Sequence, residues 1–372
     1  MFLLGAIILC FLLPVLMTRS LEDAYHQNPK LAKLPPLSEC NYLKVMRNTD
    51  QRSPYEGHDP FRYLPYDELT FEEDYIIIRL GDYSERVHLA NAVYRLSDAT
   101  LNELNTVRNG QYRFMTLLGA EIDSDRNMLS SLVKEEHLVH KRFVLGTDQL
   151  GRDILSRLLV GGRLSLSLAL VAILITVIVG VSLGVLAGYF GGWLSRILTW
   201  LLGLFWSIPA VLFVVIIALA LVSARFGVMI GITSVLWVEM AQVIKSRVQS
   251  IKDQEYVKAS RLIGLSHWRI IKRHILPNVT SPIYVIVAGA FADALMLEAG
   301  LSFLGVGITP PHPSWGNMIR TSYGYMLTEN YAFMAVVPSV ALLLVVLASV
   351  FLSNGLKKVL EVDYRRIGNS EV

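Results

Sequence analysis

The sequence predicts an all-α polytopic membrane protein of about six transmembrane helices, with an extra small mixed α/β region outside the membrane. The mean hydropathy is +0.46 and only 17% of the residues are charged, which is unusual for a soluble globular protein. The charges are unevenly distributed, because residues 18–145 hold 16 basic and 20 acidic residues whereas residues 164–355 contain long apolar runs. A net charge of +3 is too small to indicate a nucleic-acid partner.

Five apolar stretches in the second half are long enough to cross a bilayer. A transmembrane helix needs about 20 mainly apolar residues to cover a hydrocarbon core of roughly 30 Å. They belong to a predicted membrane core, residues 146–372. The predicted spans are 164–187, 196–222, 226–244, 281–306 and 332–355.

A sixth apolar stretch, "MFLLGAIILCFLLPVLM", occupies residues 1–17. Its length fits either a short first transmembrane helix or a signal peptide. It has no basic start and no small-x-small cleavage site before Arg19, so we favour a retained first span.

The basic residues of the short loops predict the orientation in the membrane. Residues 245–280 contain eight Lys or Arg, and the tail 356–372 adds four more, so both are expected in the cytoplasm. Counting spans backward then puts residues 18–145 outside. Three basic residues just before the second span fit this orientation poorly, since they lie on its predicted outer side. They are Arg152, Arg157 and Arg163.

The outer region, residues 18–145, has the pattern of a small folded region. "DYIIIRLGDYSERVHL" predicts two strands joined at Gly81-Asp82, and "SDATLNELNTV" predicts a helix capped at Ser97 or Asp98. "NPKLAKLPPLSEC" has the composition of a proline-bearing linker. Cys10 and Cys40 do not make a disulfide framework, and no function is assigned to the region.

A basic stretch, "EYVKASRLIGLSHWRIIKRHILPN" at 255–278, lies between two predicted spans. Its pattern predicts one short helix over 253–263, a left-handed stop at Gly264, and a second helix that Ser266 caps and Pro277 ends. The residues expected on the apolar faces of the two helices are Tyr256, Ala259, Leu262 and Ile263, then Trp268, Ile271 and Ile275.

Three interpretations compete for this stretch. A helix-turn-helix that binds DNA has a similar pattern, but tethering to spans at both ends leaves little freedom to enter a groove. A basic amphipathic segment could instead rest on anionic lipid headgroups. We favour the third interpretation, a docking platform for a cytoplasmic partner.

The stretch resembles the cytoplasmic signature loop of bacterial ABC-importer permeases, whose pattern is Glu-Ala-Ala, three residues, Gly, nine residues, Ile-x-Leu-Pro. Here that frame falls on Lys258-Ala259-Ser260, Gly264 and His274-Ile275-Leu276-Pro277. Lys258 replaces the usual glutamate and reverses its charge, and His274 replaces isoleucine.

Four further segments resemble the second, C-type permease of dipeptide, oligopeptide and nickel importers, so the resemblance covers about residues 145–366. The segments are "LGTDQLGRDILSRLLVGGRLSL" at 145–166, "GVLAGYFGGW" at 184–193, "SIPAVLF" at 207–213 and "LEAGLSFLGVGITPPHPSWGNMI" at 297–319.

The resemblance implies a type I importer permease in the bacterial inner membrane that is not itself an enzyme and binds no cofactor. Its expected partners are a second permease subunit in a heterodimer, two cytoplasmic ATP-binding subunits, an extracytoplasmic solute-binding protein and the lipid bilayer. The residues implied to couple the chain to the ATPases are Lys258, Ala259, Ser260, Gly264, Leu265, Ser266, Leu276 and Pro277.

Acidic residues in the predicted spans leave an alternative open. Glu239, Asp293 and Glu298 could form the proton relay of a secondary transporter, or line a solute path, or pair inside the bundle. Asp293, Glu298 and Pro209 are candidates for the pathway or its gate, although Pro209 also suits a simple kink.

Motifs of other chemistries are missing or weak. The sequence contains no G-x-x-x-x-G-K-[ST] phosphate loop. The spacing of His137 and His140 differs from that of a metalloprotease motif, so we expect surface histidines and no metal site.

Overall fold

A computed structural model describes residues 24–48, 60–96, 111–117, 119–221, 224–328 and 330–369. The predicted first span, 1–17, and the predicted helix of "SDATLNELNTV" lie outside the described residues. The chain divides into two compact units, one of residues 17–157 and one of residues 158–372 together with 1–16.

The unit of residues 17–157 contains three small antiparallel sheets. Strand orders are β2-β1-β8, β3-β4-β5 and β6-β7. The predicted hairpin is confirmed, since β4 pairs with β5 in a register that places Leu80 opposite Tyr83 across the Gly81-Asp82 turn. The strands are β1 (Ser38–Met46), β2 (Phe61–Tyr66), β3 (Glu68–Glu72), β4 (Tyr75–Leu80), β5 (Tyr83–His88), β6 (Gln111–Met115), β7 (Glu121–Asp125) and β8 (Leu138–Phe143).

Short helices complete this unit and give it a core of its own. They are α1 (Leu89–Val93) and α2 (Arg126–Leu132), the latter continued by a π-helical turn at Val133–His137. Leu89 and Leu129 are buried with inward residues of the strands. The predicted linker forms a 3-10 turn at Pro29–Leu31 and then enters β1.

Two of the basic residues that run against the orientation rule share one carboxylate within the unit of residues 17–157. Arg152 Nη2 lies 2.7 Å from Asp148 Oδ2, and Arg157 Nε lies 3.5 Å from the same oxygen. All three side chains are buried. The carboxylate offsets one of the two positive charges, so the pair opposes the predicted orientation less than two free arginines would.

The unit of residues 158–372 is built from long helices. Within the described residues, four helices are long and apolar enough to cross a membrane. The bounds are α3 (Ile154–Tyr189), α4 (Gly192–Trp206), α5 (Ala210–Ala220), α6 (Ala224–Lys252), α7 (Glu255–Leu262), α8 (His267–Ile270), α9 (Leu276–Leu304), α10 (Trp315–Ser322) and α11 (Phe333–Asn369).

The predicted single span 196–222 is wrong in one respect. It is a pair of helices, α4 and α5, bent by 91° at a short break. Pro209 directly precedes α5 and has no amide hydrogen with which to continue α4. Apolar composition alone could not reveal the bend, because both arms are apolar.

Glycines bring α3 and α6 into close contact. Gly180, Gly184 and Gly188 recur every four residues and therefore lie on one face of α3. A Cβ at Gly184 would come within 2.7 Å of the Ala241 carbonyl oxygen, and one at Gly188 within 2.7 Å of the Lys245 carbonyl oxygen. Small residues at this spacing allow two membrane helices to pack backbone to backbone.

Candidate functional site

The 255–278 stretch folds as two short helices around a glycine. Gly264 separates α7 from α8 and has φ +84°, so the predicted left-handed stop is confirmed. The amide of Leu265 donates to the Ser260 carbonyl (3.2 Å), which closes α7. Ser266 precedes α8 as predicted, but its side chain makes no capping hydrogen bond.

Pro277 does not end the second helix, contrary to prediction. A π-helical turn, Ile271–Ile275, joins α8 directly to α9, and Pro277 lies in the first turn of α9. A proline is tolerated there, because the first amides of a helix need no partner within it. The amide of Leu276 bonds to Ile271, five residues back, and this wider turn carries the chain into the proline.

The inner face of the helix pair packs on the membrane helices. Val257, Ile270, Ile271 and Ile275 are buried. They share a cluster with residues of α3 and α6, against which Leu265 and Leu276 also pack. The helix pair is therefore anchored to two spans by apolar contacts.

Tyr189, at the end of α3, makes the polar contact to both short helices. Its hydroxyl lies 3.0 Å from Nδ1 of His267 in α8. The guanidinium of Arg261 in α7 lies 4.9 Å from the centre of the Tyr189 ring, within cation–π range. The sequence prediction missed this residue, although an aromatic side chain at the end of a span, in "GYFGG", was the available signal.

The outer face of the helix pair exposes large apolar side chains. Leu262 is 89% exposed, Ile263 81% and Trp268 70%. We call these three residues the tip, since they flank Gly264. Periodicity placed Tyr256, Leu262, Ile263 and Trp268 on apolar faces, but it does not indicate whether this chain covers such a face.

The remaining predicted loop residues lie beside the tip on α7. Lys258 and Ala259 are exposed. Ser260 is partly buried, and its hydroxyl donates to the Tyr256 carbonyl at 2.8 Å. A partner that binds the tip would therefore also meet Lys258.

The acids of the fifth predicted span lie on different faces of α9. Asp293 is exposed, whereas Glu298 is 0% exposed. Ser302 Oγ donates to Glu298 Oε1 at 2.8 Å and accepts from the amide of Ile308 at 3.1 Å. The Glu298 carboxyl thus connects α9 to the segment that follows it.

The hydroxyl groups of Ser165 in α3 and Ser314 before α10 lie near the Glu298 carboxyl, but Ser165 Oγ and Glu298 Oε2 make no hydrogen bond among the described residues. Both serines are buried. The structure does not bring Glu298 together with Asp293 or Pro209, so the three candidates do not form one cluster. No chain of acids of the kind that a proton relay needs is seen in this part of the bundle among the described residues.

The histidine pair does not form a metal site. His137 is buried, contrary to the expectation of a surface residue, and its Nδ1 lies 2.9 Å from the Lys44 carbonyl. His140 is exposed and bonds Asn41. Across the described ranges, no group of three or more His, Cys, Asp or Glu could hold a metal ion.

The architecture defines a class of protein, a polytopic helical membrane protein with a compact helix pair between two spans. Comparison with known proteins identifies the family. Residues 180–366 match the model of the binding-protein-dependent transport system inner membrane component, and the chain belongs to this family. It is a membrane permease component of an importer, and the ATPase is on partner subunits.

Individual relatives are similar over more than half of the chain. A protein of Brucella suis biovar 1, provisionally named a peptide permease, is 32% identical over 212 residues, which cover 57% of this chain and 70% of the relative. The glutathione transport system permease protein of Pectobacterium atrosepticum is 33% identical over 217 residues, covering 58% and 71%. The inward-facing methionine ABC transporter MetNI aligns with 55% of this chain and 97% of its own, at 17% identity and a TM-score of 0.47.

Proposed function

We propose that this chain is the transmembrane permease subunit of an ATP-driven importer for peptides or a similar small solute. It forms half of the translocation pathway, and a second permease subunit forms the other half. Two cytoplasmic ATP-binding subunits drive the cycle, and an extracytoplasmic binding protein delivers the solute. Family membership supports the class, and the names of the two relatives support the solute.

In this proposal the loop 245–280 and the tail 356–372 lie in the cytoplasm of a bacterium, and residues 18–145 lie outside the inner membrane. The support is the concentration of Lys and Arg in the loop and the tail.

The observation that carries the proposal is the exposed tip. Three large apolar side chains stand in water on the outer face of a helix pair whose inner face is anchored to two spans. An exposed apolar patch rimmed by polar residues is typical of a protein interface. We infer that an ATPase subunit covers Leu262, Ile263 and Trp268, and that α7 and α8 carry its movement to α3 and α6.

The exposed face of α9 is the proposed contribution to the solute pathway. Asp293, Met296 and Gly300 recur at spacings of three and four, and all three are exposed. A carboxylate in a membrane span avoids lipid and faces water or protein. Glu298 lies on the buried side and holds the bundle together instead.

Removal of the tip tests the proposal. The double variant Ile263→Ser, Trp268→Ala should lower co-purification of the ATPase subunits and ATP-dependent uptake by tenfold or more, since a buried Trp at an interface often contributes at least about 2 kcal/mol. Leu327→Ala is the matched control, because Leu327 is 98% exposed but lies between α10 and α11. Unchanged association of the ATPases with the double variant would refute the docking role.

A proton-coupled carrier that works alone is the alternative from the sequence. Family membership argues against it. Uptake into vesicles that persists without ATP and collapses with an uncoupler would restore it.

A further inference from the structure

A polar stripe runs along α6 within an otherwise apolar helix. Glu239, Gln242, Ser246 and Gln249 are separated by three, four and three residues and therefore share one face. All four are exposed, whereas Ala241, Ile244 and Val248 on the other side are buried. Glu239 and Gln242 lie in the predicted span 226–244, and Ser246 and Gln249 lie just beyond its proposed cytoplasmic end. Hydrocarbon does not solvate the two residues in the span, so this face lies against water or a polar partner.

Beside this stripe, α4 and α6 enclose a groove of about 360 Å³. Pockets for small ligands begin at roughly this volume. The side of α6 contributes Gln242, Lys245 and Ser246, and the side of α4 contributes Thr199 and Trp206. Leu202, Gly203 and Gln249 complete the lining, so a largely apolar groove holds a small set of hydrogen-bonding side chains.

Lys245 is the cation of the groove. Its ammonium donates to Thr199 Oγ1 at 2.7 Å, which fixes the charge against α4. Among the residues that the structure describes, no carboxylate forms an ion pair with it. An ammonium has three donors, and the hydroxyl uses one of them. The groove therefore offers a positive charge with free hydrogen-bonding capacity and amide and hydroxyl neighbours.

We propose that this groove is a solute-binding site on the translocation pathway, in which Lys245 and Thr199 bind a carboxylate group of the transported solute. The inference rests on the proposed function and adds a chemical class, a small solute with a free carboxylate. A lipid headgroup is a poorer occupant, because its acyl chains would have to lie along the amide side chains of the stripe.

Charge-selective labelling tests the site in the complete importer. The chain has only two cysteines, Cys10 and Cys40, so Gln242→Cys can be placed in a background in which both are serine. Relative to the ratio of rates at a cysteine placed at Leu327, the anionic reagent sulfonatoethyl methanethiosulfonate should be favoured roughly tenfold over its cationic trimethylammonium analogue. Lys245→Gln should abolish this preference and Lys245→Arg should keep it. A cysteine at Leu327 reports the intrinsic ratio of the two reagents.

Protection by a carboxylate completes the test. Millimolar alanylalanine should slow the labelling of Gln242→Cys severalfold, whereas alanylalanine amide should not, and Lys245→Gln should remove the difference. Equal protection by acid and amide, or none by either, overturns the proposal. The proposal is also overturned if the preference for the anionic reagent disappears when neutral nanodisc lipid is replaced by phosphatidylglycerol. That result would mean that the lipid headgroup binds the Lys245 ammonium. ATP-dependent uptake and ATPase association can persist in all these cases, so failure here leaves the proposed function standing.

Discussion

At the scale of single residues, Tyr189 joins three helices that the proposed mechanism needs to move together. Its buried side chain ends α3 and touches one side chain from each short helix of the loop. The hydroxyl orients the Tyr189 side chain by its hydrogen bond to His267. The ring makes the cation–π contact with Arg261. A push on the tip can therefore reach α3 through polar contacts as well as through the apolar cluster.

Tyr189→Phe should weaken coupling without releasing the ATPases. The change removes one hydrogen bond, worth about 1 kcal/mol, and keeps the ring under Arg261. We expect a severalfold drop in solute transported per ATP hydrolysed, with normal co-purification of the ATPase subunits. Tyr323→Phe, at an exposed tyrosine directly after α10, is the control. An unchanged transport-to-hydrolysis ratio would show that the apolar contacts alone transmit the movement.

Glu298 should act by holding hydrogen bonds in the bundle. Glu298→Ala removes the acceptor of the Ser302 hydroxyl and leaves a small cavity, which should cost roughly 2 to 3 kcal/mol. Glu298→Gln keeps an acceptor of similar volume and should cost less than about 1 kcal/mol. Thermal unfolding of the detergent-solubilised complex measures both, with exposed Asp293→Ala as the control. Equal losses in the two Glu298 variants would mean that the carboxyl itself is required.

At the scale of elements, the sequence predicted the helix, break and helix of the loop because each part has a local cause. Apolar periodicity indicated α7, and only glycine adopts φ +84° at Gly264 without strain. Two features of the loop could not be predicted from the local sequence. The continuation through Pro277 depends on a π-helical turn, and apolar periodicity does not indicate whether a face such as the tip is covered.

Substitutions at Gly264 should separate backbone conformation from side-chain size. A Cβ added there would meet nothing within 4 Å, so only the dihedral angle matters. We expect Gly264→Asn to transport nearly normally, Gly264→Ala to lose about 1 kcal/mol of loop stability, and Gly264→Pro to uncouple ATP hydrolysis from uptake. Uptake assays with membrane quantities matched by immunoblot would check this order. Normal uptake with Gly264→Pro would contradict the rigid helix pair.

At the scale of the whole molecule, the sequence predicted a polar part and a membrane part from composition alone. The family model begins at residue 180, and the unit of residues 17–157 has a separate core, so the family match carries no function for that unit. Contacts such as Asp148 with Arg152 and Arg157 were not predictable, because burial of both charges depends on how the unit folds.

Cysteine labelling of membrane vesicles tests the orientation of the two parts. With Cys10 replaced by serine, an impermeant maleimide should label Glu68→Cys in right-side-out vesicles and Arg269→Cys in inverted ones, since both positions are exposed. Cys40 is a built-in control for folding. It is buried, and burial raises the pKa of its thiol from 9.0 to about 11, so it should stay unlabelled near neutral pH until the chain is denatured.

The Cys40 thiol makes the stability of the unit of residues 17–157 decrease at high pH. Because the Cys40 pKa is higher in the folded unit than in the unfolded chain, its contribution to stability is complete below about pH 9 and is lost as the pH rises toward 11. Denatured-state labelling of Cys40 should therefore need less urea at pH 10.5 than at pH 8, and Cys40→Ala should reduce that difference. Labelling of Arg269→Cys in right-side-out vesicles, with Cys40 still protected, would reverse the proposed orientation while leaving the fold intact.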